Sequence, residues 1–183
     1  MEPTARAEAF PSSSEGEVVA GKSYVSPRPA APQALAKSVL AGELMSAFGR
    51  TGRRSGDWIF LIEPRLHLGA DVLVPDLTGW RRERMQKLPS VAALTLAPEW
   101  VCEVLSPETH NLDRGRKLAA YARAGVRHVW LVDPAPHMRT LEVFRLQGPY
   151  YAYLAGYEDG RIVHAEPFEA LPLELKVLWE DVE

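Results

Sequence analysis

The sequence predicts a mixed α/β domain, an α+β mixed sheet with helices packed against it. Three observations predict it. The apolar run Trp100–Leu105, a helical stretch over 112–124 and a second apolar run over 128–132 form a strand–helix–strand unit. Such a crossover lets its two strands pair in parallel. Apolar runs over 58–63, 65–68 and 72–76, parted by short turns, predict an antiparallel meander. Residues 140–146 and 150–155 alternate around Gln147-Gly148-Pro149 and predict a C-terminal β-hairpin.

The remaining elements follow in chain order. Residues 1–16 are small, polar and proline-bearing and are expected to form a flexible arm, leaving 17–183 as a single domain. Residues 17–24 predict a short strand or a turn around Gly21. Three prolines in 26–32 predict an irregular lead-in. A helix is expected over 33–48, with Leu35, Val39 and Gly42 on one side and Leu40, Leu44 and Phe48 beside them. Pro32 suits its start and Gly49 its stop. Residues 50–56 read as a basic turn, and 77–98 as a long loop carrying Arg81-Arg82-Glu83-Arg84. Gly125 is placed to end the helix over 112–124, and Asp133-Pro134 to stop the strand before it. A further strand is expected over 161–165, and the apolar tail 171–179 is expected to dock.

Composition narrows the function. The 183 residues are 46% hydrophobic, enough for a real core. A net charge of -3 argues against a broad basic nucleic-acid footprint, although a local positive groove is compatible with it. Cys102 is the single cysteine, so neither a disulfide framework nor a cysteine zinc cluster is available. The opening residues lack the apolar core of a secretory signal. No apolar run reaches the roughly 18 residues of a membrane span. A soluble, cytoplasmic protein without membrane partners is the expectation.

Glu103 is the residue that calls for explanation. Side chains alternate along a strand, so Glu103 points the same way as Val101 and Leu105. A carboxylate in that setting needs a partner. An arginine forming a buried ion pair is one answer. The other is a metal-dependent phosphodiester site. Asp76 ends the run Val72-Leu73-Val74-Pro75-Asp76, and Lys117 lies in the helix after Glu103. Magnesium commonly takes one or two protein carboxylates plus substrate phosphate. Asp76 and Glu103 would serve if their strands are neighbours, with the Val104 carbonyl as a third oxygen. Lys117 would hold the phosphate or orient water. Bland readings compete. Pro75-Asp76 is a common turn starter. Lys117 has Asp113 at i-4 and Tyr121 at i+4, and a solvated Asp113–Lys117 pair would contribute only about 0.3–0.5 kcal/mol.

The runs VLVPDLTGWRRER, PEWVCEVLSPETHNLDRGRKLAAYARAGVRHVWLVDP and TLEVF resemble the Uma-two family of restriction endonucleases, within the PD-(D/E)XK nuclease superfamily. GEVVAGKSYVSP also resembles that family's opening, and the matches span most of 17–146. The resemblance implies a restriction-endonuclease-like core over 17–183, a mixed sheet with flanking helices. It implies Asp76 and Glu103 as ligands of Mg2+, with Mn2+ as the alternative ion. The superfamily's usual lysine follows the acid by two residues, and here that position is Leu105. The resemblance implies that Lys117 takes its place. The first helix often adds an outer acid in this superfamily, and Glu43 is the candidate.

Two hypotheses follow. One is a magnesium-dependent endonuclease hydrolysing nucleic-acid phosphodiester bonds, with DNA as the substrate and Asp76, Glu103 and Lys117 as its catalytic residues. The other is a non-catalytic DNA- or protein-binding module that retains the nuclease fold, motivated by Leu105 and the weak net charge. A homodimer suits the first, since cutting two strands favours two symmetric sites. Arg50, Arg53 and Arg54, and Arg81, Arg82, Arg84 and Lys87, are expected either to touch phosphates or to be solvated loops. His128 is expected to have a local partner. Cys102, Trp58, Trp100, Trp130 and Trp179 are expected in the packing, and Ser106 has no triad context.

Overall fold

Alternation along the buried strand Trp100–Val104 sets the architecture. Trp100, Cys102 and Val104 enter one hydrophobic core, while Val101 and Leu105 enter a second on the opposite face. A sheet covered on both sides is the result. The computed structural model describes residues 15–49 and 56–182. The cluster Arg50, Arg53 and Arg54, and residues 1–14 of the expected arm, lie outside the described residues.

In chain order the elements are β1 (Glu15–Val19), β2 (Lys22–Ser26), α1 (Ala31–Phe48), β3 (Trp58–Ile62), β4 (Leu66–Leu68), β5 (Asp71–Leu73), β6 (Leu77–Arg81) and β7 (Trp100–Val104). A π-helical turn (Leu112–Lys117) then runs into α2 (Leu118–Ala124). The chain continues through β8 (His128–Asp133), β9 (Thr140–Gln147), β10 (Tyr150–Glu158), β11 (Ile162–Val163), β12 (Leu173–Glu174) and a 3-10 turn, Leu175–Leu178.

The larger sheet has the order β10-β9-β8-β7-β6-β3. Its β7–β8 pair is parallel, joined across the helix, and its other neighbours are antiparallel. Gly125 ends α2 in the left-handed region, at φ 77°, which a glycine adopts without a Cβ clash. The smaller sheet, β2-β1-β5-β4, is wholly antiparallel. β1 and β2 form a hairpin through Ala20 and Gly21. α1 and the C-terminal segment cover one face of the larger sheet, and α2 with the smaller sheet covers the other.

The structure corrects three expectations. Only half of the meander forms: β4 and β5 pair antiparallel as expected, but β3 pairs with β6 in the larger sheet. The expected strand 72–76 stops at Leu73, because Pro75 has no N–H for a ladder. The expected loop 77–98 begins with β6. Its glycine lets two rings lie against the strand. A Cβ on Gly79 would sit 3.1 Å from Trp58 Cε3 and from Phe60 Cε1. The expected packing roles hold. Trp58, Trp100, Trp130, Trp179 and Cys102 are all buried, and the Phe168 ring contacts Phe48, Trp58, Phe60, Trp100 and Trp130.

Candidate functional site

The antiparallel pairing of β6 with β7 brings the two acids together. Leu77 lies opposite Cys102. One step outward, that register sets Asp76 beside Glu103. The Val104 N–H donates to Asp76 Oδ2 at 2.7 Å. Asp76 Oδ1 lies 2.5 Å from Lys37 Nζ. Lys37 also pairs with Glu63, whose own backbone N–H donates to the Asp76 carbonyl at 3.0 Å. Glu63 holds a left-handed backbone, φ 51°, unusual for a residue with a Cβ.

Glu103 is 2% exposed. Its Oε1 accepts the Tyr121 hydroxyl proton and lies 2.9 Å from Lys117 Nζ. Lys117 reaches two further acids, Glu17 Oε1 at 3.1 Å and Asp113 Oδ1 at 3.3 Å. The helix supplies this face. Asp113, Lys117 and Tyr121 follow one another at four-residue spacing, and the π-helical turn holds the first two. Glu17 comes from β1, and its carboxylate also accepts the Val74 N–H at 2.8 Å. The reading of Asp113 and Lys117 as a solvated pair therefore gives way: both are buried in a network of four charged groups.

Glu17, Lys37, Asp76, Glu103, Asp113 and Lys117 all line one cleft. The lining carries four carboxylates against two ammonium groups, an excess of acid to which Glu63, the second partner of Lys37, adds. Burial pushes the Glu103 carboxyl well above its usual range. Lys117 opposes this, but Asp113, Asp76 and Glu17 add to it. Burial works to lower Lys117, yet Glu103, Glu17 and Asp113 hold it well above its ordinary value, so it stays an ammonium. Asp113 is raised by burial against the pull of Lys117.

Among the described residues, no group of three or more His, Cys, Asp or Glu side chains makes a ready metal cage. Magnesium does not require one, since it keeps several waters and binds through one or two carboxylates. Gln33 adds an oxygen here. Its Nε2 donates to the Leu105 carbonyl at 3.3 Å, while its buried Oε1 has no partner among the described residues. The donor set of hard oxygens, the charge imbalance and the unpaired oxygen fit a hydrated divalent ion.

Several residues of the cluster escape the sequence reading. Glu17 carried the same signal as Glu103, an acid beside apolar strand residues. Lys37 and Gln33 lie on the buried stripe of α1 with Ala41 and Leu44, and a lysine on that stripe was the clue. Glu43 is exposed and does not line the cleft. Glu103 pairs with a lysine rather than an arginine. Arg81 stacks over Trp58 at 4.4 Å, and Arg84 pairs with Glu99 at 2.5 Å, so both are engaged by the fold. His128 pairs with the distant Glu166 at 2.7 Å. Ser106 bonds with Thr109 in a local turn.

This mixed sheet with its flanking helices is a nuclease-type fold. It matches the crystal structure of "a putative nuclease belonging to DUF820" from Anabaena variabilis ATCC 29413, with a TM-score of 0.74 and 21% identity over 90% of this chain and 89% of that one. The family model Uma2, described as "Putative restriction endonuclease", matches residues 6–177. The chain belongs to the Uma2 (Uma-two) family. A comparison with curated proteins finds no match. No helix among the described residues is long and apolar enough to cross a membrane.

Proposed function

We propose that this protein is a divalent-metal-dependent endonuclease that hydrolyses phosphodiester bonds in DNA. The observation that carries the reading is the apposition of Asp76 and Glu103 in a cleft lined by more carboxyl groups than amines. Asp76 and Glu103 hold the ion, Mg2+ or Mn2+ in its place. When bound, such an ion lowers the pKa of a water and offsets charge developing on the phosphate. The chain's own groups prepare that site. Tyr121 and Lys117 fix Glu103 Oε1, and the Lys117 ammonium favours the ionised carboxylate. The Val104 N–H fixes Asp76 Oδ2. Water adds to phosphorus in line, and the 3′ oxygen leaves with a proton.

The test is plasmid nicking and oligonucleotide cleavage with Mg2+ or Mn2+. Wild type should cut, and Asp76→Asn and Glu103→Gln should each lose at least about a hundredfold in rate. Equal background cleavage by all three would end the reading. The second reading, a non-catalytic DNA- or protein-binding module, is favoured by Leu105 at the superfamily's usual lysine position. It requires DNA or partner binding without metal-dependent turnover. A homodimer and a cytoplasmic site of action complete the proposal. Sedimentation of the purified chain tests the former, and a fluorescent fusion the latter.

A further inference from the structure

The two amines of the cleft differ in how many of their protons are already engaged. An ammonium carries three N–H donors. Lys117 faces three carboxylates, Glu17, Glu103 and Asp113, and its side chain is 4% exposed. Among the described residues these three ion-pair partners match its three donors in number. Lys37 meets two acceptors among the described residues, Glu63 and Asp76, so one donor remains. Both of its partners are more open to solvent than those of Lys117: the Asp76 and Glu63 side chains are 21% and 35% exposed.

A second observation points to a ligand on the same wall. Gln33 precedes Lys37 by one helical turn and shares its face. It is 8% exposed and lines the cleft, yet its Oε1 has no partner among the described residues. The amide orientation follows from chemistry, because only Nε2 can donate to the Leu105 carbonyl. The oxygen is therefore the free end. α1 thus presents one spare donor and one spare acceptor beside the cluster of Glu17, Glu103, Asp113 and Lys117.

We infer that Lys37, and not Lys117, is the amine that contacts the phosphate group of the nucleic acid, with Gln33 Oε1 accepting from a water or hydroxyl beside it. This rests on the nuclease reading above and assigns its phosphate contact to α1. Lys117 is then a positioning residue for Glu103. Replacing Lys37 removes a phosphate contact and, at the same time, a cation that competes for Asp76. The two effects have opposite signs, and this separates them.

Calorimetric titration of the full chain with Mn2+, then of the Mn2+-saturated chain with thymidine 5′-monophosphate, reads both. The nucleotide stands for the 5′-phosphate product. Lys37→Met should bind Mn2+ at least as tightly as wild type and the nucleotide at least about tenfold more weakly. Lys37→Arg keeps the charge against Asp76 and Glu63 and should recover most of that loss. Nucleotide affinity of Lys37→Met within twofold of wild type, with Mn2+ binding intact, overturns the inference and spares the nuclease reading. No Mn2+ uptake by wild type overturns both. Should Lys37→Met fail to fold, the wild-type chain still decides. On adding nucleotide, the 15Nζ resonance of Lys37, assigned through Lys37→Arg, should shift while that of Lys117 stays. The reverse pattern overturns the inference.

Discussion

Asp76 accepts the Val104 N–H through its side chain, at a point where β6 has not yet begun. The ladder between β6 and β7 ends at Leu77 and Cys102, and the carboxylate takes over one residue beyond it. A proposed metal ligand is thereby also a piece of the sheet. An amide oxygen can accept the same bond, whereas a methyl group cannot. Asp76→Asn should therefore stay within about 1 kcal/mol of wild-type stability, while Asp76→Ala should lose about 1–3 kcal/mol by orphaning the N–H. Urea denaturation checks the difference, and equal losses would show that the bond carries no weight.

Lys117 is a different case, because its removal strands three acids together. Lys117→Met leaves Glu17, Glu103 and Asp113 buried without their shared cation. Breaking a buried pair in this way costs about 3–5 kcal/mol. Part of the loss should return when Ca2+ is added, since a divalent ion can replace the missing charge. A loss under 1 kcal/mol in metal-free urea melts would mean that water enters the network freely.

The Glu103 carboxyl makes metal binding depend on pH. Burial first, then Asp113, Asp76 and Glu17, hold it well above the usual range despite Lys117. A raised carboxyl retains its proton where the unfolded chain has lost it. Its contribution to stability is thus present below the ordinary glutamate value of about 4.3 and declines as pH rises toward the folded value. Coordination requires the ionised form, so Mn2+ uptake should release a proton. Titrations in two buffers of different ionisation enthalpy, matched in pH, should give different heats, and Glu103→Gln should remove the difference. Buffer-independent heat in wild type would contradict this.

Gly79 tests the packing beneath the site. Its missing side chain admits the Trp58 and Phe60 rings, both fixed in the aromatic cluster around Phe168. Gly79→Ala should cost about 1–3 kcal/mol through overpacking. Thermal unfolding measures it, and an unchanged midpoint would show that the rings yield freely.

Much of this architecture is legible in the chain because its signals are local. Trp100–Val104 declares a strand by composition, and Gly125 declares a helix end by its conformational freedom. The parity of Glu103 follows from the period of two. β6 is harder to read, since Leu77-Thr78-Gly79-Trp80-Arg81 has one β-branched residue, holds a glycine at its centre and is bounded by Pro75 and charged residues. Its strand character comes from tertiary packing onto β3, which no local pattern encodes. The cluster itself is legible only in part. Asp76, Glu103 and Lys117 announce themselves by position, whereas Glu17 and Glu63 acquire significance through pairings of distant segments. Lys37 resembles any helix-surface lysine until the buried stripe is drawn.

The C-terminal segment reaches back to the beginning of the chain. Leu173, Leu175, Leu178 and Trp179 enter the same core as Ala36, Leu40, Ala41 and Leu44 of α1. A ribosome has delivered every charged member of the cleft once residue 117 is made, yet the buttress behind α1 arrives some sixty residues later. A nascent chain would thus carry the charged side chains of the cleft before the residues that pack behind α1, the helix that carries Lys37, have been made.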